Sequence, residues 1–204
     1  MTAASVTQAG FVGRHAEEPD QLYRETRELR IQGFLLFMVS DLVLFSSFIF
    51  AYLYLRNSGQ GWPGPGAPKL DIALAAVNSI VLFGSGATMH FALENWKHSN
   101  FTKFANWIVL TIILGAGFLT GQVLEYVHIG ASWSSGIFGA SFYTLTGMHG
   151  FHVFCGIIYL TVLLLQALQG KYTFCKYTGL TLGTLYWHFV DVIWVVLFSI
   201  FYLL

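Results

Sequence analysis

The chain has 204 residues, about one domain, with 55% apolar residues and only 10% Asp, Glu, Lys or Arg, where a soluble domain carries roughly 25%. Its ten basic and ten acidic side chains cancel, which excludes a net electrostatic pull on nucleic acid. The 19 Phe, 10 Tyr and 6 Trp exclude a disordered chain, and two cysteines, Cys155 and Cys175, exclude a disulfide framework. An integral membrane protein remains.

A bilayer core about 30 Å thick needs about 20 apolar residues in a helix. Five stretches qualify in chain order: Ile31–Leu55, Ile72–Leu93, Phe104–Val127, Ile137–Leu168 and Gly179–Leu204. The fold class expected is therefore all-α, an integral membrane bundle of five transmembrane helices. A β-barrel would show segments of about ten residues alternating apolar and polar. Runs such as Trp107-Ile-Val-Leu-Thr-Ile-Ile-Leu114 do not alternate.

Residues 1–30 read as a polar, partly disordered N-terminal tail, with Gln21–Arg30 expected as a short surface helix leading into the membrane domain, residues 31–204. The tail is too polar for a cleavable signal peptide. The Gly59–Pro68 loop holds three of the four prolines and is expected to turn tightly at the outer surface. Orientation follows from Lys and Arg in the connecting segments. Arg14, Arg24, Arg27, Arg30, Lys97, Lys103, Lys171 and Lys176 fall on one side, against Arg56 and Lys69 on the other. The N-terminus is thus expected inside and the C-terminus outside. No internal repeat is visible, and no span contains proline, so the broken helices of an inverted-repeat transporter are not indicated.

Ionisable groups within a membrane are costly and mark functional candidates. The spans contain Asp41, Glu125, Asp191, His90, His149, His152 and His188 but no Lys or Arg, and His128 lies just past the third. Glu125 and His128, His149 and His152, and His188 and Asp191 are each three apart, so each pair shares a helix face. Gln122 extends the first cluster by a turn. The readings open for this buried polar set (Asp41, Gln122, Glu125, His149, His152, His188, Asp191) are interhelical hydrogen bonding that fixes packing, a proton path or store, and metal or haem ligation. His149 and Asp191 are expected within hydrogen-bonding reach of other members.

Haem between helices needs two facing histidines at matched depth. His149 and His188 are candidates, but His152 and Asp191 beside them offer partners that need no metal. A copper pair would want clustered Cys and His ligands, whereas Cys155 and Cys175 are twenty residues apart. No phosphate-binding loop or nucleophile elbow is present. No catalytic, cofactor-binding or metal-binding residue is assigned. Gly84-Ser-Gly86-Ala, Gly115-Ala-Gly117 and Gly147 would allow close helix approach. Trp62, Trp107, Tyr126 and Trp133 fall near span ends, as an aromatic belt would.

Five segments in order carry a resemblance: Ser40-Asp41-Leu-Val-Leu-Phe45, Trp62-Pro63, Gly121-Gln-Val-Leu-Glu125-Tyr126, Gly147-Met-His149-Gly-Phe-His152-Val and Trp187-His188-Phe-Val-Asp191-Val-Ile-Trp194. Together, over about Gly33 to Leu204, they resemble subunit III of the haem–copper terminal oxidases. The resemblance implies a non-redox, multi-pass subunit of a proton-pumping oxidase that reduces oxygen to water in aerobic respiration. Its direct partner would be subunit I, with subunit II and small subunits in the same complex. Haems and copper would lie in those partners, with structural phospholipids bound to this chain, in a bacterial inner membrane. It also implies support of subunit I and of proton uptake. Many members carry Glu where this chain has Asp41, and the long form has seven spans, of which this chain lacks the first two. The Trp62-Pro63 loop looks more like the cytochrome c branch than the quinol oxidase branch. Asp41 lies ten residues beyond Ile31, about 15 Å along a helix, too deep for a proton-collecting surface group. A structural or lipid-anchoring role is the reading favoured for it. Two different classes stay open beside this one: a free-standing transporter or proton channel, and a haem-binding membrane cytochrome.

Overall fold

The computed structural model describes residues 5–58, 70–129, 136–170 and 178–203, with side chains from Arg24 onward. Its helices are α1 (Ser5–Asn57), α2 (Ile72–Lys97), α3 (Phe101–Ile129), α4 (Gly136–Leu168) and α5 (Thr178–Phe198), and α5 ends in a π-helical segment, Ser199–Leu203. Among the described residues, five helices are long and apolar enough to cross a membrane. The backbone of the expected surface helix, Gln21–Arg30, is continuous with the first span, and the helix reaches back to Ser5 within the stretch read as a tail. The Gly59–Pro68 turn, Trp62, Lys69, Trp133, Lys171, Cys175 and Lys176 lie outside the described residues.

The chain divides into two compact units, Met1–Asp41 and Leu42–Leu204. In the first, Leu29, Leu35, Leu36, Phe37 and Val39 are exposed, and the Ser40 hydroxyl donates back to the Leu36 carbonyl at 2.9 Å. That hydroxyl satisfies itself within its own helix, the usual solution where no water is present.

The second unit contains the core. Local chemistry sets the helix ends. Asp71 caps α2, its carboxylate accepting from the amides of Ala73 (3.0 Å) and Leu74 (3.2 Å). α2 runs four residues past the predicted end at Leu93 and closes at Lys97, with Glu94 contacting both Lys97 and His98 at 3.2 Å. A short turn through Ser99, at φ 57°, leads to Asn100, whose side chain accepts from the Lys103 amide at 3.3 Å and opens α3.

Helices in lipid gain little from burying apolar surface against one another, so packing, small residues and hydrogen bonds hold them. Here two indoles on α5 do most of this. Trp187 and Trp194 are seven residues apart, hence on one helix face, and both are buried. The Trp187 indole N–H donates to Ser85 Oγ on α2 at 2.9 Å. Its ring fills a notch between Gly115 on α3 and Gly156 on α4: a Cβ at Gly115 would stand 2.8 Å from the ring, and one at Gly156 2.9 Å. The Trp194 N–H donates to Ser79 Oγ on α2 at 2.8 Å, while its ring meets Phe118 of α3 edge-on at 4.8 Å. Each indole therefore touches three helices besides its own, since Trp194 also stacks on His149 of α4.

The other seams use the same means. Between α2 and α3, the Thr88 and Thr111 hydroxyls are 2.8 Å apart, and the Asn78 amide donates to the Phe118 carbonyl at 3.1 Å, its side chain lying directly over Gly121. Tyr186 of α5 donates to the His152 carbonyl of α4 at 3.1 Å, and Tyr159 of α4 to the Gly179 carbonyl at 2.9 Å. The segment of α1 in this unit contributes two buried aromatic knobs seven residues apart, Phe45 against His152 at 5.1 Å and Tyr52 against Phe201 at 4.7 Å.

Gly115→Ala is expected to destabilise the protein by about 1–3 kcal/mol, because the new methyl meets the rigid Trp187 ring. Gly84→Ala, where a Cβ meets nothing within 4 Å, is expected to leave stability unchanged or to raise it slightly. Thermal unfolding of the two purified variants in detergent checks this, and equal melting temperatures would disprove the notch.

Candidate functional site

The buried polar side chains fall into separate local groups. Glu125 and Gln122, one turn apart on the inner face of α3, are both buried. The Glu125 carboxylate accepts from the Tyr202 hydroxyl at 2.7 Å and more loosely from the Gln122 amide at 3.4 Å. Tyr202 is delivered by the π-helical segment at the end of α5, a departure from helical phase often found where a side chain must be re-aimed. Close by, the Tyr126 and Thr146 hydroxyls, 2.6 Å apart, join α3 to α4. His128, expected to share in the Glu125 cluster, does not: it is exposed, and its Nδ1 lies 2.8 Å from its own helix's Leu124 carbonyl. Three residues of spacing turn the two side chains by about 300°, which leaves them some 60° apart; on a helix packed along one narrow seam, one member is buried and the other is not.

His149 contradicts the hydrogen bond expected of it. It is 1% exposed, and neither ring nitrogen has a hydrogen-bond partner. The imidazole instead occupies an aromatic slot, stacked on Trp194 at 5.0 Å and meeting Phe118 edge-on at 5.7 Å. It behaves as a flat packing element. His152, three residues on, is half-buried; its Nδ1 lies 2.7 Å from the Met148 carbonyl and its ring packs on Phe45. The expected His149–His152 pairing is thus replaced by contacts to other groups.

His188 and Asp191 do come together, with Nδ1 and Oδ2 3.6 Å apart, slightly beyond a hydrogen bond. The Asp191 carboxylate lies directly on Gly86 of α2, where a Cβ would clash with it. Asp191 Oδ1 is buried without a hydrogen-bond partner. Asp41, in the N-terminal unit, is 8% exposed. His90 is exposed on α2. His149, in its aromatic slot, and His188, over Gly86 at the bundle surface, occupy different environments. Among the described residues, no three His, Cys, Asp or Glu side chains converge as a metal-binding group. Cys155 is a free thiol on α4.

The residues that organise this interior beyond the expected set are Trp187, Trp194, Ser79, Ser85, Asn78 and Tyr202. The seven-residue spacing of the two tryptophans was a usable signal. Their serine partners, over a hundred residues away in sequence, carried none.

Two expectations follow from this geometry. A double-mutant cycle on Glu125→Leu and Tyr202→Phe, read by thermal unfolding, is expected to return a coupling of about 1 kcal/mol, the scale of a buried hydrogen bond between membrane helices. Zero coupling would show that the pair is incidental. At position 149, Phe keeps the stack and loses no hydrogen bond, so His149→Phe is expected to cost less than about 1.5 kcal/mol. His149→Ala, which opens a cavity between Phe118 and Trp194, is expected to cost about 2 kcal/mol or more. The reverse order would mean that the ring nitrogens matter.

Comparison with known proteins agrees with this architecture. Residues 6–204 match the family model described as cytochrome c oxidase subunit III. The chain is 37% identical over 178 residues to the cytochrome c oxidase subunit 3 of Synechocystis, covering 87% of this chain and 76% of that protein. It is 34% identical over 181 residues to the subunit of the same name from Thermostichus vulcanus, covering 88% and 90%. The quinol oxidase subunit 3 of Bacillus subtilis is 32% identical over 198 residues, covering 93% and 97%. A match over nearly the whole length, in a chain with five helices long and apolar enough to cross a membrane, places it in the cytochrome c oxidase subunit III family.

Proposed function

We propose that this chain is the non-redox subunit III of a proton-pumping haem–copper oxidase that reduces oxygen to water, and that it works with cytochrome c as donor in a bacterial inner membrane. The observation that carries the reading is the use made of the interior. Trp187, Trp194, Tyr202, Asn78 and Thr88 use their polar groups to join helices, in a chain that matches the family over residues 6–204. A scaffold of this kind supports a neighbour and needs no redox group of its own. Its direct partner is subunit I, which would carry the haems and copper, with subunit II and smaller subunits in the same complex.

The buried set Asp41, Gln122, Glu125, His149, His152, His188 and Asp191 is read as structural first, fixing helix packing and lipid contacts, with support of proton uptake as a secondary role. The eight-against-two bias of Lys and Arg supports an N-terminus inside, and the polar segment 1–30 is read as a domain distinct from the membrane bundle. The cytochrome c branch is favoured over the quinol branch by the family description and by the higher identity to cytochrome c oxidase subunits.

Purification from native membranes through a tag on this chain, followed by a reduced-minus-oxidised spectrum and oxygen uptake, tests the reading. Haem bands are expected to travel with the tag, to be absent from the chain once it is separated from its partners, and reduced cytochrome c is expected to drive oxygen uptake. Uptake driven by quinol alone would move the protein to the other branch. Haem retained by the isolated chain, or no partner at all, would overturn the proposal.

A further inference from the structure

The exposed face of α5 carries one ionisable side chain. Leu185, Val192 and Val195 are exposed along it, and His188 interrupts them with 43% of its side chain exposed. His188 is ten residues into the span Thr178–Leu203, about 15 Å from its start and so near the middle of a core about 30 Å thick. An imidazole left in hydrocarbon there is costly.

The ring is also held in a defined way. Asp191 Oδ2 lies 3.6 Å from Nδ1, and the carboxylate is wedged against Gly86, with His188 Nδ1 3.5 Å from the place a Cβ would take. A carboxylate on that side favours the proton on Nδ1 and leaves Nε2 of this part-exposed side chain as an acceptor. On α2, Ala87, next in the chain to Gly86, is small and exposed. Small residues of this kind let a second helix come close.

The chemistry limits what can cover His188. Acyl chains have no hydrogen-bond donor, and headgroups lie about 15 Å away at the interface. A transmembrane helix carrying a hydroxyl, amide or indole donor at mid-depth meets both requirements. We infer that the α2–α5 face around His188 is the seat of a transmembrane helix from a haem-bearing partner subunit, which donates a hydrogen bond to His188 Nε2. This rests on the oxidase-subunit reading and specifies which face of the chain makes the contact.

The test uses the whole complex, purified through a tag on this chain. A photo-reactive phenylalanine analogue replaces Val192, one turn from His188, or, as a control, Leu165 on the exposed side of α4. Irradiation at position 192 is expected to give an adduct with a haem-bearing subunit, identified by mass spectrometry, at several times the yield at position 165. An adduct with a second copy of this chain, with lipid only, or no adduct would overturn the proposal. In the second arm, His188→Leu removes the acceptor and His188→Gln retains one. Leu is expected to raise loss of the partner during detergent washing about fivefold relative to Gln, the factor that about 1 kcal/mol gives. Equal loss would remove the hydrogen bond from the proposal. Haem present in the preparation without the position-192 adduct defeats only this face, whereas a haem-free preparation defeats the oxidase reading and this inference together.

Discussion

The indole of Trp187 sets the spacing of the bundle. Its ring lies between Gly115 of α3 and Gly156 of α4 while its N–H reaches Ser85 of α2, so one rigid side chain fixes α5 against three neighbours. In water such a site would be one contribution to a hydrophobic core. In lipid the surrounding solvent is as apolar as the core, and the preference for the assembled helices comes from close fit and from hydrogen bonds that have no better partner elsewhere. A tryptophan supplies both, with a large flat surface and one donor. Trp194 repeats the arrangement two turns on with Ser79, Phe118 and His149.

With helix spacing set in this way, the polar groups divide into two populations. The inner one is neutral or shielded: Asn78, Thr88, Thr111 and Ser79 bridge seams, and Glu125 is met by Tyr202 and Gln122. His149 belongs to this interior by shape, since its ring contacts are aromatic. The second population lies at the edge, where His188 leans on Asp191 over Gly86. On the proposed reading, the inner groups would hold the bundle as a scaffold and the edge groups would be available to a partner.

Much of this was legible from the residues. Span length and the lack of alternation led to five helices, because the bilayer imposes both a thickness and complete backbone hydrogen bonding. The His188–Asp191 contact followed from three-residue spacing, since both residues lie on one helix. The same argument failed for Glu125 with His128 and for His149 with His152. Three-residue spacing places two side chains on roughly one side of a helix, but the neighbouring helix decides which of them is buried and what it meets. Tyr202 was hidden for another reason: a π-helical turn shifts the phase of every residue after Phe198, and α-helical periodicity does not foresee it.

The sequence by itself determined that the chain crosses the membrane, how many times, and the family whose motifs it carries, because these depend on composition, segment length and residue order. Only the tertiary structure decided which glycines receive an indole, which serines satisfy it, and that His149 packs while His188 faces outward. Those outcomes depend on pairings between residues that lie far apart along the chain, such as Ser85 with Trp187 and Glu125 with Tyr202. No local pattern encodes such a pairing until the helices are set side by side.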